Sequence, residues 1–354
     1  MMSILTYLDQ AVKSKASDLH ITVGQPPIMR LDGELVKLTD IPLTPEDTVA
    51  MVKETMKSHQ FDALEERGEL DYSFSYPNVG RFRVNAYRQR GSYGLAFRVV
   101  YGAIPSLEDL GLPPVVADLS RKKRGLILVT GPTGSGKSTT LASMIDLINS
   151  ERSCHILTLE DPIEYLHTHN KSIVNQREVG SDTNSFANGL RAALREDPDV
   201  ILVGEMRDLE TISIAVTAAE TGHLVLSTLH TLGAANTMDR IIDVFPPYQQ
   251  EQIKVQLAAV IEGIISQQLL AKKASKGRVG VFEVMTSTNA IRNLIREGKT
   301  HQIQTNIQTG SKFGMQTMDN ALLNLYKQGV ISRDACQAHA MDFDYVKGQL
   351  GTIY

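Results

Sequence analysis

The chain has 354 residues, of which 42% are hydrophobic and 21% are charged. This length suits two domains with sizeable cores, and the composition excludes a disordered or fibrous protein. The formal net charge of −4 excludes a uniformly basic surface, so nucleic acid is not an expected partner. The two cysteines, Cys154 and Cys336, form no CxxC pair, so we expect neither a disulfide framework nor a zinc site.

The hydropathy of the chain indicates in which cellular compartment the protein is expected. Residues 1–8 lack the basic stretch and apolar core of a secretory signal. No apolar run approaches the ~18 residues that a membrane-spanning helix needs. We therefore expect a soluble, cytoplasmic protein that associates with a membrane through a partner.

The first hundred residues predict a small mixed α/β domain. We expect a helix over residues 2–15, a strand at Leu19–Val23, and a hairpin over residues 28–36 that turns at Asp32-Gly33. A second helix should follow Thr44-Pro45, because threonine caps helices and proline fits the first turn. Alternating segments then predict antiparallel strands at residues 71–76, 81–87 and 95–101. We assign residues 1–101 to this α/β domain.

Residues 102–114 are rich in glycine and proline, which predicts a linker and hinge between domains. Beyond it, short apolar strands alternate with helical stretches. Continuous apolar runs are typical of strands buried on both faces of a parallel sheet. The expected strands are residues 126–130, 154–159, 200–203 and 224–228. Residues 115–354 therefore predict an α/β domain, with a mostly helical subdomain from about residue 245.

A glycine-rich loop joins the first of these strands to a helix expected over residues 138–148. Residues 131–138 have the sequence Gly-Pro-Thr-Gly-Ser-Gly-Lys-Ser, in the strand–loop–helix context that a Walker A motif requires. Backbone N–H groups would surround the phosphates of ATP, Lys137 would contact the β- and γ-phosphates, and Ser138 would bind Mg²⁺. The predicted nucleotide-binding residues are Gly131, Pro132, Thr133, Gly134, Ser135, Gly136, Lys137, Ser138 and Thr139.

Acidic residues follow two other strands. The third strand ends in Gly204-Glu205, the position of a Walker B element, with glycine where many such proteins have aspartate. The second strand leads into an acidic turn that contains Glu160 and Glu164, at the sheet edge where α/β proteins bind ligands. We expect Mg²⁺ near Ser138, Glu160 and Glu205. Either Glu205 or Glu164 could orient the attacking water, and the sequence leaves this choice open.

Two histidines flank the fourth strand. His230 follows its carboxyl end, where it could contact the γ-phosphate, whereas His223 precedes the strand and should lie at the opposite sheet edge. A lone histidine in such a position is usually a capping or core residue. From the residues alone, both interpretations of His230 stay open.

These motifs, in this order, resemble those of the secretion ATPase superfamily, the hexameric motors of type II secretion, type IV pili and type IV secretion. The corresponding segments are residues 130–139 (Walker A), 156–165 (aspartate box), 194–208 (Walker B) and 221–231 (histidine box). Within the superfamily, the chain most resembles the PilT family of type IV pilus retraction ATPases, which drive twitching motility. The resemblance implies a catalytic role for His230.

The narrower resemblance depends on further segments. Residues 16–21 (Ala-Ser-Asp-Leu-His-Ile) and 290–297 resemble retraction-ATPase signatures near both ends of the chain. Extension and secretion ATPases carry a long amino-terminal extension, and most have a four-cysteine zinc insert after the histidine box. This chain shows neither, and residues 267–278 continue without an insert.

The periodicity of residues 290–297 predicts an ordinary surface helix, with an apolar face formed by Ile291, Leu294 and Ile295. The resemblance implies that this helix is needed for retraction and transmits movement. The predicted retraction motif comprises Ala290, Ile291, Arg292, Asn293, Leu294, Ile295, Arg296 and Glu297.

Three arginines lie on strands of the amino-terminal domain. Arg81 and Arg83 are two residues apart and therefore point to one sheet face, and Arg98 lies on a strand that could be adjacent. Spacing alone leaves open a solvated strand face or a phosphate-binding cluster. The resemblance implies that these arginines reach the nucleotide and act in catalysis, and Arg278 is a further candidate for an arginine at a subunit interface.

The resemblance also implies the function. The fold that it implies is a PAS-like α/β domain over residues 1–101 and a RecA-like P-loop ATPase domain over residues 115–354. Six copies would form a ring with ATP between the two domains, and hydrolysis would move the domains to drive pilus retraction. The implied partners are other copies of the chain, a platform protein at the inner-membrane base of the pilus, and a paralogous retraction ATPase. The alternatives are an accessory retraction ATPase and, less favoured, an extension or secretion ATPase or a DNA-translocating hexamer, which would need a basic surface.

Overall fold

The computed structural model describes residues 3–31, 33–77, 79–100, 104–274 and 277–351. The chain divides into two units, Met1–Ala103 and Ile104–Tyr354. None of the helices in the described ranges is both long and apolar enough to cross a membrane.

The described part of the first unit forms a six-stranded antiparallel sheet with three helices. The helices are α1 Ile4–Lys13, α2 Pro45–Thr55 and α3 Ser58–Arg67. The strands are β1 Asp18–Ile21, β2 Ile28–Leu31, β3 Glu34–Lys37, β4 Glu69–Tyr76, β5 Gly80–Gln89 and β6 Ser92–Val100. Their order in the sheet is β3-β2-β1-β6-β5-β4. Phe82, Val84 and Phe97 alternate with polar residues along β5 and β6 and are fully buried, which confirms the predicted amphipathic strands.

The helix predicted after residue 44 begins as expected. The hydroxyl of Thr44 accepts a hydrogen bond from the backbone N–H of Asp47, and Pro45 is the first helical residue. The structure divides the segment further, because α2 ends at Thr55 and α3 begins at Ser58. Asp32 of the predicted hairpin turn lies outside the described residues, as do Asn78, Tyr101 and Gly102.

The second unit contains a seven-stranded sheet within the described ranges. The strands are β7 Gly125–Thr130, β8 His155–Glu160, β9 Ile173–Glu178, β10 Val200–Val203, β11 Leu224–Leu229, β12 Ile261–Ala271 and β13 Arg278–Thr286. Their order is β13-β12-β7-β11-β10-β8-β9. All neighbours are parallel except β12 and β13. The mixed α/β architecture with a P-loop between β7 and the next helix confirms the predicted fold class.

Helices cover both faces of this sheet. They are α4 Val115–Ser120, α5 Lys137–Glu151, α6 Phe186–Ala193, α7 Leu209–Glu220, α8 Ala234–Asp243, α9 Pro247–Val260, α10 Asn289–Arg296, α11 Ile303–Thr309, α12 Met318–Lys327, α13 Arg333–Ala338 and α14 Phe343–Gly351. Short 3-10 turns lie at Thr300–Gln302 and Ser311–Phe313. Along β7, Leu126 and Leu128 join one buried cluster and Ile127 and Val129 join another. The strand is thus buried on both faces, as its continuous apolar run predicts.

The segment after residue 245 is mostly helical in its described part, as expected, but it also has two strands that the sequence did not predict. It contains the β12–β13 hairpin, and β12 pairs with β7 in the central sheet. The largely apolar segment 257–265, which is interrupted by Glu262, does not distinguish a buried strand from a buried helix by periodicity. The pairing with β7 shows that it becomes a strand from Ile261 onward. Strand β9 was also not anticipated.

The predicted linker differs from the structure over residues 104–114. These residues belong to the second unit, where Leu112 is buried and the carbonyl of Pro105 accepts a hydrogen bond of 2.7 Å from the Ser143 hydroxyl. Glycine and proline interrupt helix and strand here, but the leucines between them still bury apolar surface.

Candidate active site

The glycine-rich loop connects β7 to α5 and places Lys137 at the first helical position. The side chain is only 9% exposed, and its ammonium donates hydrogen bonds to the carbonyls of Gly131 (2.8 Å) and Pro132 (3.0 Å). Burial lowers the pKa of Lys137, while the carboxylates of Glu164 and Glu205 act in the opposite direction. Both predicted carboxylates thus favour the charged form of Lys137.

The backbone of the loop leaves no space for side chains at its first residue. Gly131 has a φ of 144°, and a Cβ there would lie 2.2 Å from the carbonyl oxygen of Gln267 and 2.7 Å from the Ser135 hydroxyl oxygen. This close approach explains the glycine that begins the motif.

The loop fits a phosphate ligand. The hydroxyl oxygens of Thr130 and Ser135 are buried without a hydrogen-bond partner in the described part of the chain. Buried polar groups in proteins are nearly always hydrogen-bonded, so these atoms suit ligand oxygens or water. The amino terminus of α5, a helix of 15 residues, adds N–H donors and a favourable dipole for an anion.

The candidate metal ligands fit Mg²⁺ bound together with a nucleotide. No group of three or more His, Cys, Asp or Glu residues among those described has the geometry of a metal site. Mg²⁺ takes one or two protein ligands beside phosphate oxygens and water at nucleotide sites, so a larger cluster is not required. Ser138, half-buried in the first turn of α5, and Glu205 suit this role.

The ends of β10 and β11 bring Glu205 and His230 together. The Oε2 atom of Glu205 lies 2.8 Å from the Nε atom of Arg207 and 3.5 Å from the Nε2 atom of His230. The two strands are parallel neighbours, so their carboxyl ends meet at one edge of the sheet. Sequence reasoning proposed Glu205 and His230 separately and missed Arg207.

The glycine at the Walker B position has a steric reason. A Cβ on Gly204 would lie 3.2 Å from the carbonyl oxygen of Leu159 and 3.4 Å from the Cα atom of Glu160. The carbonyl of Gly204 also accepts a hydrogen bond of 2.6 Å from the Thr228 hydroxyl. The close backbones of β8, β10 and β11 therefore favour glycine, and Glu205 is the first carboxylate after β10.

The acidic turn after β8 separates its two glutamates. The Oε1 atom of Glu160 accepts hydrogen bonds from the Thr158 hydroxyl (2.6 Å) and the Gln176 amide (3.1 Å). Burial raises the pKa of Glu160. Glu164 is exposed. The environment of Glu160 is that of a side chain held inside the turn, and its metal-binding role stays a prediction.

Two further contacts concern the acidic turn after β8 and the histidine that precedes β11. The hydroxyl of Tyr165 lies 2.9 Å from that of Thr139, so the acidic turn contacts the first turns of α5. The Nδ1 atom of His223 lies 2.9 Å from the carbonyl oxygen of Ala218 at the end of α7, at the amino-terminal edge of β11. His223 is therefore distant from the glycine-rich loop along the strand, as predicted.

Comparison with known proteins assigns the family. A family model described as type II/IV secretion system protein matches residues 2–334. The chain belongs to this family.

Individual relatives narrow the assignment. The type IV pilus retraction ATPase PilT of Pseudomonas aeruginosa is 49% identical over 339 residues, which cover 96% of this chain and 98% of the relative. A twitching motility protein of Neisseria gonorrhoeae is 48% identical and covers 89% of this chain and 84% of its own. A crystal structure of the pilus retraction motor PilT with bound ADP superposes with a TM-score of 0.92 at 52% identity, covering 98% of this chain and 100% of the other. The chain is an ATP hydrolase of the PilT type within the family.

The three candidate arginines lie on one face of the antiparallel sheet of the first unit. Arg83 and Arg98 are directly opposite in the β5–β6 register, and both are exposed. The Nε atom of Arg98 donates a hydrogen bond of 3.1 Å to Asp18. Arg81 is half-buried, with its Nη1 atom 3.4 Å from the Ser75 hydroxyl. The spacing correctly predicted the shared face, and the phosphate role stays a prediction.

Arg278 is the first residue of β13 and is exposed. Ser275 and Lys276 before it lie outside the described residues. Its role at a subunit interface stays a prediction.

The predicted retraction motif forms α10, and its apolar face is buried as expected. Ile291 and Ile295 are fully buried and Leu294 is 9% exposed. The helix begins after Thr288, whose hydroxyl accepts a hydrogen bond from the N–H of Ile291. Periodicity alone predicted this packing, because residues three and four apart share a helix face.

Arg292 joins this helix to the carboxyl end of α9. Its guanidinium donates hydrogen bonds to the carbonyls of Ala258 (2.7 Å) and Ala259 (2.6 Å) and to the carboxylate of Glu262 (2.8 Å). The last carbonyls of a helix lack partners within the helix, so an arginine stabilises them well. Lys122 contacts the other oxygen of Glu262 at 3.0 Å. Sequence reasoning placed Arg292 on a surface face and missed this contact.

We expect Arg292→Ala to lower the free energy of unfolding by about 1–3 kcal/mol, because three acceptors lose a charged donor. Urea unfolding at a fixed protein concentration measures the change. Arg296→Ala is the matched control on the same helix, since Arg296 is exposed, and should change stability by less than about 0.5 kcal/mol. Equal effects of the two substitutions would contradict the capping role of Arg292.

Sequence reasoning also missed Gln267 and Thr140. The Gln267 side chain contacts the glycine-rich loop and α5 from strand β12. The signal was present as Ser266-Gln267-Gln268, a polar run inside an apolar segment, but its meaning required knowing that the segment is a central strand.

Proposed function

We propose that this ATPase is the motor that drives type IV pilus retraction. The observation that supports this most is the likeness to a pilus retraction motor over 98% of this chain. The contact of 3.5 Å between Glu205 and His230, at the carboxyl ends of two neighbouring strands, also supports it. The segment that resembles the retraction motif forms α10, and the apolar face of this helix is buried. No comparable observation favours the accessory, extension, secretion or DNA-translocating alternatives.

The proposed chemistry is hydrolysis of ATP bound with Mg²⁺ at the glycine-rich loop. Mg²⁺ would neutralise phosphate charge when bound, with Ser138 and Glu205 as its nearest protein groups. Lys137 would leave the carbonyls of Gly131 and Pro132 and donate to the β- and γ-phosphates, as the motif requires. Glu205 or Glu164 would orient the water for in-line attack, and His230 would contact the γ-phosphate.

The arginines are proposed to stabilise the negative charge of the transition state. Arg81, Arg83 and Arg98 present permanently charged guanidinium groups on one strand face, which suits phosphate oxygens. A loss of turnover without a loss of ADP binding in an Arg83→Ala protein is the result that this role requires.

At the level of assembly, we propose a ring of six copies in the cytoplasm. The ring would dock on a platform protein at the inner-membrane base of the pilus machine, where hydrolysis withdraws pilin subunits. A paralogous retraction ATPase would be a further partner. Arg278 is proposed to lie at the interface between copies, and α10 to transmit the movement.

Complementation in the source bacterium tests the proposed function. Cells that lack this chain should keep surface pili but lose retraction, observed as loss of twitching and of pilus shortening. The unchanged gene should restore both, and a gene encoding Glu205→Gln should not. If cells lose pili altogether, the chain is an extension ATPase. If retraction persists and only its force falls, the chain is an accessory ATPase.

A further inference from the structure

Strand β12 carries three successive polar residues at its buried centre. Ser266, Gln267 and Gln268 are 0%, 1% and 6% exposed. Burying an amide without hydrogen bonds is costly, so side chains of this kind persist inside a sheet when neighbours satisfy them. The partners of these three residues show what each one does.

Gln267 joins the glycine-rich loop to α5. Its Nε2 atom donates a hydrogen bond of 2.7 Å to the carbonyl oxygen of Ser135, inside the loop. Its Oε1 atom accepts a hydrogen bond of 2.9 Å from the hydroxyl of Thr140, in the first turn of the helix. The Gln267 backbone carbonyl is also the atom that closely faces Gly131. One side chain and its carbonyl thus contact both ends of the loop.

The two flanking residues point to the other face of the strand. The amide of Gln268 contacts His339, with its Nε2 atom 3.1 Å from the His339 carbonyl and its Oε1 atom 2.7 Å from the ring nitrogen Nδ1. The hydroxyl of Ser266 accepts a hydrogen bond of 2.9 Å from the N–H of Gly233, before α8. Gln268 is therefore an amide of similar burial and hydrogen bonding that does not contact the loop.

The hydrogen bond to Ser135 has a direct consequence for the loop backbone. In a trans peptide, the carbonyl and the following N–H point in opposite directions. Because the Ser135 carbonyl is held by Gln267, the N–H of Gly136 is held pointing away from β12. If the Ser135–Gly136 peptide were rotated, the Ser135 carbonyl oxygen would lie where a phosphate needs an N–H donor.

We propose that Gln267 is a positioning residue for nucleotide binding, which holds the Ser135–Gly136 peptide so that its N–H faces the phosphates. It does not touch the reacting atoms. The Gln267 side chain should stabilise bound ATP and the transition state by the same free energy, because the Gly136 N–H contacts the phosphates in both states. The proposal rests on nucleotide binding by this loop and is independent of what the motor pulls.

The test is a Gln267→Leu protein, which keeps a side chain of similar size and removes both hydrogen bonds. We expect the dissociation constant for ADP and the KM for ATP to rise about tenfold, because a buried carbonyl and hydroxyl lose their partner. The kcat at saturating ATP should change by less than about threefold, as expected for uniform binding. Fluorescent ADP titration and phosphate release measure these values.

Gln268→Leu is the matched control. It removes an amide of similar burial from the opposite face of β12. It should therefore lower the free energy of unfolding about as much as Gln267→Leu does, and leave the ADP affinity within about twofold of that of the unchanged chain. If Gln268→Leu weakens ADP binding as much as Gln267→Leu does, Gln267 is merely structural and the proposal is wrong. The proposal also fails if Gln267→Leu binds ADP as tightly as the unchanged chain.

Thr140 provides a second route if Gln267→Leu does not fold. Thr140→Val removes one of the two hydrogen bonds of Gln267 and should weaken ADP binding several-fold, whereas Thr140→Ser keeps the hydroxyl and should restore it. Equal affinities of the two Thr140 variants would overturn the proposal. If the unchanged chain does not bind ADP, the assignment of the loop itself is wrong, which is a different outcome.

Discussion

Replacing Lys137 with alanine should lower the rate of ATP hydrolysis at least about a hundredfold, the range found when a preorganised charge-stabilising donor is removed. The Lys137 ammonium is nearly buried and is held within the loop by the carbonyls of Gly131 and Pro132. Its conformation is therefore already close to the site where the phosphates would bind. Phosphate release at saturating ATP and Mg²⁺ measures the loss.

Lys123→Ala is the control for this experiment, because Lys123 is an exposed lysine that precedes β7. Its hydrolysis rate should be unchanged. ADP binding by the Lys137→Ala protein should also weaken, since the lysine neutralises phosphate charge in the ground state as well. A Lys137→Ala protein that hydrolyses ATP at the normal rate would show that catalysis does not use this loop.

The second large effect concerns the choice between two glutamates. We expect Glu205→Gln to lower kcat by about 10²–10⁴-fold, the range for loss of a general base. We expect a smaller loss for Glu164→Gln. Strand β10, which leads to Glu205, lies one strand closer to β7 than β8 does, a difference of about 4.8 Å in the sheet. The contact of Glu205 with His230 also places it beside the candidate γ-phosphate sensor.

Glutamine keeps the size of the side chain and removes the charge, so both proteins should fold. Glu251→Gln, on an exposed part of α9, serves as the control and should leave kcat unchanged. ADP affinity should stay within a few-fold in all three proteins. A larger loss for Glu164→Gln than for Glu205→Gln would assign the base to the acidic turn after β8.

Arg207 affects how the second experiment is interpreted. Its guanidinium contacts the Glu205 carboxylate at 2.8 Å, although the arginine side chain is 69% exposed. Exposed ion pairs contribute little to stability, so this contact can exchange for another partner at low cost. A loss of activity in the Glu205→Gln protein should therefore reflect the lost carboxylate rather than the lost contact with Arg207.

The sequence determined the elements that depend on local pattern. Strands β7, β10 and β11 are largely apolar runs, and the structure places them within two residues of the expected bounds. The Walker A loop, the cap of α2 at Thr44 and the buried face of α10 likewise follow from residue types at fixed spacing. These features are local because the hydrogen bonds and side-chain directions that produce them involve residues close in the chain.

Only the tertiary structure decided the contacts between distant segments. The hairpin β12–β13 lies in a segment expected to be mostly helical and was not predicted, since the residue pattern of a strand carries no information about its sheet partner. Gln267 lies 132 residues from Ser135 and Arg292 lies 34 from Ala258, so no spacing predicts either contact. The sequence alone thus predicted that the loop binds nucleotide. The sheet order determined which side chains surround that loop, because neighbouring strands bring together residues that are remote along the chain.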